Sequence, residues 1–286
     1  MEGLDKTYID WFIKMALDED IKDGDHTSLA CIPADSRSKA KLLVKDDGVI
    51  AGVSLAKTIF KKLDPDCFFE EIISDGQDIK YGDIAFYVEC NSRALLQGER
   101  LVLNIMQRMS GIASLSNRFA FEVEGLPVTI LDTRKTTPLL RLLEKWAVKI
   151  GGCSNYRIGL YDWIMIKDNH IDACGGITKA IDAVHQYLEK TQKNLKITVE
   201  VRNLLELEEV LQRGGINRIM FDNFELPILR EAVAHVNKNF ETEASVGVNL
   251  STVRKIAQTG VDFISVGALT HSAGTLDRSL KVIKDK

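Results

Sequence analysis

Four short, mostly apolar runs decide the fold class of this chain, and they read ITVEV (197–201), RIMFD (218–222), ASVGV (244–248) and DFISVG (262–267). Glu200, Asp222, Ser245 and Gly267 lie at or near the ends of these runs, at successive intervals of 22, 23 and 22 residues. Each interval has room for a helix, two loops and part of a strand, which is typical of parallel α/β folds. In α/β barrels the carboxyl ends of the strands carry the active site. We therefore expect residues 128 to about 271 to form a barrel or partial barrel, with an open doubly wound sheet as the alternative.

The part of the chain before residue 128 has a different pattern and predicts a smaller α+β domain. Ile9, Phe12 and Ile13 begin an apolar stripe at helical spacing, so the first helix is clearly marked. From residue 39 to residue 91, β-like runs alternate with Gly-containing turns, and a long helical stretch then reaches residue 122. We expect the first domain to span residues 1–115 and the catalytic α/β domain to span residues 116–272.

One helix of the second domain has well-marked ends. Thr137 is the expected N-cap, and Pro138 suits the first helical position because its missing N–H has no partner to lose there. An apolar stripe then runs from Leu139 to Ile150. A pair of glycines follows Ile150, and glycine readily adopts the left-handed conformation that ends helices.

The composition excludes several classes of protein. The chain has 286 residues, a formal net charge of −4, 45% apolar and 27% charged residues, which suits a globular protein with a sizeable core. The slight acidity argues against a broad nucleic-acid-binding face, and no apolar run is long enough for a membrane span. No secretory signal is visible, so we expect a cytoplasmic protein without nucleic-acid or membrane partners. The five cysteines have no metal or redox spacing and are expected to be reduced thiols.

Cationic side chains are concentrated on motif-like segments in the middle of this acidic chain. Arg134 and Lys135 lie in DTRKTTP, Arg157 ends GGCSNYR, and Lys167 begins KDNH. Arginine presents a planar fork that matches carboxylate and phosphate oxygens, and lysine presents a compact charge. These segments therefore predict a site for a small, heavily anionic ligand. Arg100 lies near the start of the long helix, where a solvated or ion-paired arginine is the usual case.

Two acidic residues, Glu200 and Asp222, lie at predicted strand ends. Their carboxylates could share Mg²⁺ with ligand phosphates, because Mg²⁺ is commonly held by one or two carboxylates plus substrate oxygens. The alternative is that they cap helices or pair with the nearby Arg202 and Arg218. Because the carboxyl ends of barrel strands carry active sites, we regard the two interpretations as about equal.

Two segments of small residues, SVG (245–247) and VGA (266–268), follow the last two predicted strands. Small residues allow backbone N–H groups to approach a phosphate, and many barrels bind phosphate after their last two strands. Ordinary strand-to-helix turns are the alternative. His271 follows the second segment and is a candidate anion contact, whereas His26 and His170 have no metal-ligand spacing with any partner.

Together these segments resemble the quinolinate phosphoribosyltransferase family (nicotinate-nucleotide pyrophosphorylase, carboxylating). The resemblance covers nearly the whole chain, and the motifs occur in one order, which makes it highly specific. The segments that carry it are ED…TS (19–28), GER…LN…SGIA (98–113), DTRKT (132–136), LEK (143–145), NYR…GL (155–160), IKDNH (166–170), EV (200–201), DN (222–223), EAS (243–245) and SVGALTHS (265–272).

The resemblance implies that quinolinate and 5-phosphoribosyl 1-diphosphate give nicotinate mononucleotide, CO₂ and diphosphate, with Mg²⁺. It also implies an N-terminal α+β sandwich and an open, partial α/β barrel of TIM-like type, with the tail (273–286) packed back on the first domain. A homodimer is expected, in which Arg100 completes the site of the partner subunit.

The resemblance further implies the roles of individual residues. Lys135, Lys167, Glu200 and Asp222 are the expected catalytic residues, and the two carboxylates would hold Mg²⁺ together with the diphosphate. Arg134, Arg157 and Lys167 would hold the carboxylates of quinolinate, and the small-residue segments would hold the 5-phosphate. The full expected substrate-binding set is Arg100, Thr133, Arg134, Lys135, Tyr156, Arg157, Lys167, Glu200, Asp222, Ser245, Val246, Gly247, Val266, Gly267, Ala268 and His271.

Two positions depart from the family pattern. Tyr156 stands where the family usually has His, and tyrosine carries no positive charge near neutral pH, so we expect a less cationic pocket. Val246 stands where the family usually has Gly. Its Cβ resists positive φ, so a phosphate contact there must use an ordinary backbone conformation.

Three other functions are considered from the sequence. A related molybdenum-associated pyrophosphorylase shares the framework and need not use quinolinate, although Arg134, Arg157 and Lys167 favour a dicarboxylate. A non-catalytic barrel that binds phosphoribosyl ligands predicts loss of the catalytic residues, and all of them are present. Another phosphate-binding barrel enzyme, such as an isomerase, would not need a pyridine dicarboxylate pocket.

Overall fold

The computed structural model describes residues 5–245 and 247–283. In chain order its helices are α1 (Lys6–Ile21), α2 (His26–Cys31), α3 (Val53–Leu63), α4 (Ser92–Glu122), α5 (Arg141–Ile150), α6 (Asp168–Cys174), α7 (Ile177–Thr191), α8 (Leu204–Arg213), α9 (Leu226–Val236), α10 (Val253–Ala257) and α11 (Ala268–His271). Its strands are β1 (Arg37–Val44), β2 (Gly48–Val49), β3 (Phe68–Glu71), β4 (Asp78–Ile79), β5 (Ile84–Asn91), β6 (Thr129–Leu131), β7 (Ile164–Ile166), β8 (Ile197–Val201), β9 (Arg218–Asp222), β10 (Glu241–Ser245), β11 (Phe263–Ser265) and β12 (Arg278–Ile283). Within the described residues, no helix is both long and apolar enough to cross a membrane.

The chain divides into two compact units. The first contains Met1–Asn117, Leu142–Gly152 and Ala273–Lys286, and the second contains Arg118–Arg141 and Cys153–Ser272. The boundary predicted between residues 115 and 116 lies close to the observed division, and the tail belongs to the first unit. Residues 142–152 were expected in the barrel domain, whereas the structure groups them with the first unit.

An antiparallel sheet with the strand order β12-β1-β5-β3 forms the framework of the first unit. Along β1 the buried residues alternate (Ala40, Leu42 and Val44), as expected for a strand with one face on a core. The C-terminal strand β12 pairs with β1, and Leu280 lies opposite Leu42. The tail is therefore an integral strand of this sheet.

Helix α1 follows its predicted pattern. The side chain of Asp5 caps it by accepting a hydrogen bond from the Thr7 N–H at 2.9 Å. Ile9, Phe12 and Ile13 are its buried residues, so the apolar stripe faces the core as predicted.

Long-range contacts explain why α5 belongs to the first unit. The buried carboxylate of Glu144 accepts from Arg108 of α4, with Oε1 2.8 Å from Nη2. A Cβ on Gly151 would lie 2.2 Å from the carbonyl oxygen of Ala113, so glycine is required for this close approach. Helical periodicity identifies α5 as a helix, but it carries no information about these partners.

Helix α5 begins at Arg141 and not at the predicted Pro138. Leu139 has a φ of 66°, in the left-handed region, and is 71% exposed. The Leu140 N–H donates to the carbonyl of Thr137 at 3.1 Å. Residues 137–140 therefore form a turn before the helix, because a left-handed residue cannot continue a right-handed helix.

Parallel strands in the order β6-β11-β10-β9-β8-β7 form the sheet of the second unit. All five residues of β8 are buried, as expected for a parallel sheet covered on both faces. Beyond β6, the described residues add one parallel bridge between Leu131 and Ser154. The sheet is therefore an open barrel, and the predicted fold class is confirmed. Because the strands are parallel, their carboxyl ends meet at one edge.

Candidate active site

A cavity of about 700 Å³ lies at the carboxyl ends of the parallel strands in the second unit. Most of the predicted site residues line it, namely Thr133, Arg134, Lys135, Tyr156, Arg157, Lys167, Glu200, Asp222, Ser245, Gly247, Gly267, Ala268 and His271. Its lining also includes residues that the sequence did not indicate, namely Met165, Asp168, Met220, Val248 and Ser265. A concave, charged site at this edge of a barrel is typical of an active site.

Three of the predicted residues are not described as part of this lining. Arg100 is exposed on α4 in the first unit, and Val246 lies outside the described residues. Val266 is 1% exposed, and its N–H donates to the carbonyl of Leu131 at 2.8 Å. This N–H is already used within the sheet, and the phosphate contact of Val266 stays a prediction.

The buried Asp132 fixes the two segments that carry the arginines of the cavity. Its carboxylate accepts from Asn155 Nδ2 at 2.6 Å and from the Tyr156 N–H at 2.9 Å. Asp132 directly follows β6, and Arg134 and Arg157 come shortly after the two anchored points. One carboxylate thus holds both arginine segments at the same end of the cavity.

The arginines at this end have few partners. Nε of Arg134 is buried and has no hydrogen-bond partner among the described residues. Arg157 donates through Nη1 to the carbonyl of Trp163 at 3.3 Å. Burial and the nearby charge of Arg134 both lower the pKa of Arg157. Two partly desolvated guanidinium groups that repel each other favour the binding of an anion.

Lys167 and Glu200 form an ion pair inside the cavity, with Nζ 2.5 Å from Oε2. Glu200 is buried on β8, and the backbone of Lys167 is fixed because its N–H donates to His170 Nδ1 at 2.9 Å. Burial and the neighbouring Glu200 raise the pKa of Asp222. The cavity therefore contains a pair of carboxylates, and Lys167 interacts with both of them.

The structure also distinguishes between the two interpretations of Glu200 and Asp222. Arg202 and Arg218 do not pair with them but with other carboxylates, namely Asp172, Glu206, Glu241 and Glu243. The side-chain cap of α8 is Asn203. Glu200 and Asp222 thus line the cavity and take part in neither of these alternatives, and their binding of a ligand stays a prediction.

The donor set bears on the expected Mg²⁺. The described residues contain no group of three or more His, Cys, Asp or Glu side chains arranged for a metal ion. Glu200 and Asp222 suit Mg²⁺ if ligand oxygens complete the coordination, since Mg²⁺ commonly keeps water or phosphate ligands. The Mg²⁺ site stays a prediction.

Small residues shape the part of the cavity wall next to Lys135. A Cβ on Gly267 would lie 3.0 Å from Cδ of Lys135 and 3.2 Å from the His271 ring, so glycine leaves room for both side chains. The Thr270 hydroxyl donates to the carbonyl of Lys135 at 2.8 Å. This bond joins the Lys135 segment to the turn after β11 and brings a lysine next to the predicted phosphate loop.

Sequence reasoning missed a buried polar layer beneath the arginine end. The Tyr156 hydroxyl lies 2.8 Å from Thr198 Oγ1, which also accepts from Trp163 Nε1 at 2.8 Å. Glu243, with no exposed surface, accepts from Arg218 Nη1 at 3.1 Å. The available signal was Thr198 inside the mostly apolar strand β8, where a buried polar group needs a partner, whereas β10 (ETEAS) is mostly polar and does not single out Glu243.

The comparisons with known proteins agree with this geometry. Residues 25–110 match the family described as quinolinate phosphoribosyl transferase, N-terminal domain, and residues 112–281 match its C-terminal domain. The chain is 48% identical over 285 residues to quinolinate phosphoribosyltransferase [decarboxylating] 1b of Nicotiana tabacum, covering 94% of this chain and 81% of that one. It is 46% identical over 285 residues to the chloroplastic nicotinate-nucleotide pyrophosphorylase [carboxylating] of Arabidopsis thaliana, with the same coverage of 94% and 81%.

A solved structure supports the same relationship. NadC from Streptococcus pyogenes superposes with a TM-score of 0.91 at 34% identity, covering 99% of this chain and 100% of that one. The family matches, the sequence relatives and the fold thus agree over nearly the full length. The chain belongs to the quinolinate phosphoribosyltransferase family.

Proposed function

We propose that this protein transfers the phosphoribosyl group of 5-phosphoribosyl 1-diphosphate to quinolinate and releases CO₂ and diphosphate, giving nicotinate mononucleotide. The observation that carries the proposal is the charge distribution of one cavity. Arg134 and Arg157 lie at one end without carboxylate partners, and Glu200 and Asp222 lie beside them. A dicarboxylate suits the first group, and a ribose with a metal-bound diphosphate suits the second.

The cationic end would hold the acceptor. Each guanidinium can form two parallel hydrogen bonds with a carboxylate, which fixes the pyridine ring in the plane needed for attack. Lys167 is bound to Glu200 in the free protein. A second substrate carboxylate would compete for this lysine and release Glu200 toward the donor.

The carboxylates would act on the donor. Mg²⁺, when bound with diphosphate, neutralises charge on the leaving group. Glu200 and Asp222 place negative charge where the ribose ring becomes cationic as its C1–O bond breaks. Lys135 lies close to Gly267 and can contact the diphosphate or the quinolinate carboxylate.

The bond changes balance without a dedicated catalytic base. The pyridine nitrogen gives its electron pair to C1 of the ribose, and diphosphate leaves with the C1–O pair. The ring nitrogen is then cationic and stabilises the electron pair left on the adjacent carbon when CO₂ departs. That carbon takes up a proton, so the protein mainly supplies positioning and a fixed electrostatic field.

The test is incubation of the purified protein with quinolinate, 5-phosphoribosyl 1-diphosphate and Mg²⁺, following nicotinate mononucleotide by chromatography together with CO₂ release. Arg134→Ala and Lys167→Ala should abolish product formation. Arg202→Ala is the matched control, because Arg202 belongs to the same unit but pairs with Glu206 and Asp172 outside the cavity. Donor binding without product would instead indicate a different acceptor, and Tyr156 would be the first residue to examine.

We also propose a homodimer in which Arg100 acts in the partner's site. Arg100 is exposed on α4, and no described residue is paired with it, which suits a cation that acts outside its own unit. If Arg100→Ala and Arg134→Ala are each inactive, mixing them should restore activity. Random exchange gives up to about a quarter of the wild-type sites, because one site of each mixed dimer is intact. No recovery after verified subunit exchange would rule out the shared site.

The cytoplasmic location stays a prediction. Two related tobacco enzymes carry the name mitochondrial, and the Arabidopsis relative carries the name chloroplastic. Fractionation of cells that express the protein, with an antibody against it, is the direct check.

A further inference from the structure

The layer beneath the arginine end of the cavity is a directed network of hydrogen bonds. Trp163 Nε1 can only donate, so Thr198 Oγ1 accepts its hydrogen at 2.8 Å. Thr198 can then donate its own proton to the Tyr156 oxygen, also at 2.8 Å. A hydrogen bond from the Tyr156 hydroxyl is one of the influences that lower the pKa of Glu243, and Arg218 also joins the two residues, since it lies 3.1 Å from Glu243 Oε2 and 5.0 Å from the centre of the Tyr156 ring. The chain of donors therefore runs from Trp163 to Glu243.

Glu243 accepts hydrogen bonds from two further donors. Ser265 donates its hydroxyl to Oε1 at 2.5 Å, and Arg218 donates Nη1 to Oε2 at 3.1 Å. An ionised carboxylate has only acceptors; burial raises the pKa of Glu243, and these donors oppose that rise. Glu243 is thus a carboxylate of the layer that interacts with both Tyr156 and Arg218.

This arrangement determines what Tyr156 can offer a ligand. The residue lines the cavity but is only 8% exposed, and its hydroxyl is bonded within the layer. The Arg218 guanidinium lies 5.0 Å from the centre of the tyrosine ring, on the side of the layer. Position 156 therefore presents a neutral aromatic wall to the cavity, and its hydroxyl could reach an acceptor only by breaking a buried hydrogen bond.

We infer that Glu243 is a positioning residue for the acceptor. It holds the Tyr156 ring as a neutral wall against which the pyridine dicarboxylate is aligned, and it does not touch the substrate. This inference rests on the proposed function, since the acceptor is the one proposed there. Because the acceptor is expected to lie against Tyr156, whereas the donor is expected to bind at Glu200, Asp222 and the small-residue segments, a change at Glu243 should affect the two substrates unequally.

The test compares steady-state kinetics of Glu243→Gln and wild type with each substrate varied in turn. We expect the KM for quinolinate to rise about tenfold, while the KM for 5-phosphoribosyl 1-diphosphate stays within about twofold. Asp262→Asn is the matched control. Asp262 is a hydrogen-bonded carboxylate of the same unit, held by Lys238 and Thr242 at the amino end of β11, and its loss should leave both KM values unchanged.

A double-mutant cycle separates positioning from general damage to the fold. Tyr156→Phe keeps the ring and removes the hydroxyl, and it should raise the quinolinate KM about threefold. The double variant should be no worse than Glu243→Gln alone, because both changes break the same contact. Effects that multiply, or equal increases in both KM values, would overturn the inference.

If Glu243→Gln does not fold, Thr198→Val replaces it in the cycle, since it removes the preceding donor of the network with little change of volume. Unchanged quinolinate KM in both Thr198→Val and Tyr156→Phe would then overturn the role. Turnover by the wild-type protein distinguishes a failure of the proposed function from a failure of the Glu243 role. Absence of turnover contradicts the proposed function, and with it this role, whereas normal turnover without a selective KM change contradicts only the role of Glu243.

Discussion

Two arginines of the second unit lie in adjoining layers and have opposite surroundings. Arg157 lines the cavity, where burial and the neighbouring Arg134 lower its pKa. Arg218 lies in the layer beneath, where burial lowers its pKa but Glu243, Tyr156 and Glu241 together raise it above its ordinary value, and its guanidinium lies 3.7 Å from the centre of the Phe263 ring. The fold places carboxylate partners beside Arg218, whereas Arg157 has no such partner among the described residues. An arginine is thus a structural group or a binding group according to which carboxylates are placed beside it.

The largest effect is expected at Arg157, where a substitution should impair substrate binding without lowering stability. Arg157→Met should lower kcat/KM for quinolinate by roughly 10²–10³-fold, because a charged, two-point hydrogen-bonded contact is lost. The free energy of unfolding should stay the same or rise, since the charge of Arg157 is disfavoured in the empty cavity. Kinetics and urea denaturation measure the two quantities, with Arg202→Met as the control. A large loss of stability would remove the contrast with Arg218.

At Arg218 the main effect of a substitution should instead be on stability. Arg218→Met leaves the Glu243 carboxylate buried without its cation, so the free energy of unfolding should fall by about 3–5 kcal/mol. Without its cation Glu243 has a folded-state pKa well above its unfolded value, so the loss should grow as pH rises. Urea denaturation at about pH 5 and about pH 8 checks this, and a loss that is greater at the lower pH would contradict it.

A smaller effect is expected where the two layers meet. Tyr156→His introduces a group with an ordinary pKa of about 6.5 in place of a tyrosine whose pKa is raised by burial. Glu243 would favour the imidazolium, and Arg218 and Arg157 would oppose it. The quinolinate KM should be several-fold lower than in wild type at about pH 6, and the difference should shrink by about pH 8. An unaltered KM at both values would show that charge at this position is unimportant.

The smallest expected change in stability is at Asp222, which is only partly buried. Because burial and Glu200 raise its folded-state pKa, its ionisation opposes folding once the pH exceeds its unfolded value. Asp222→Asn should therefore raise Tm by about 1–2 °C near neutral pH while activity is lost, and solvent screening keeps the gain small. The gain should vanish below about pH 3, where both side chains are neutral. Calorimetry at both pH values tests it, and a lower Tm at neutral pH would contradict it.

The sequence was most informative where one pattern of residues indicates both the fold and the site. The interval between Glu200 and Asp222 predicts strands and also places polar residues at their ends, so both the barrel and most of the cavity lining could be predicted. Val266 shows the limit, because spacing cannot tell whether a backbone N–H is free or already used in a sheet. The Glu243–Arg218 pair was missed for a similar reason. Its partners belong to different strands, and only the parallel register brings them together.

Residues 142–152 show a second limit. Their helical pattern is clear from the sequence, but their partners Arg108 and Ala113 are more than thirty residues away along the chain. Periodicity indicates which face of a helix is buried and does not indicate what covers it. The left-handed Leu139 was likewise invisible, since leucine has no intrinsic preference for that conformation.

The pairing of β12 with β1 has a consequence for the order in which the protein is made. During synthesis on the ribosome, β1 emerges early, whereas its partner residues 278–283 emerge only after the barrel strands. Until then one edge of the N-terminal sheet stays unpaired while the whole barrel is translated. An open strand edge is a template for wrong pairing between nascent chains. Pairing with β12 therefore covers this edge of the N-terminal sheet only after the barrel has been translated.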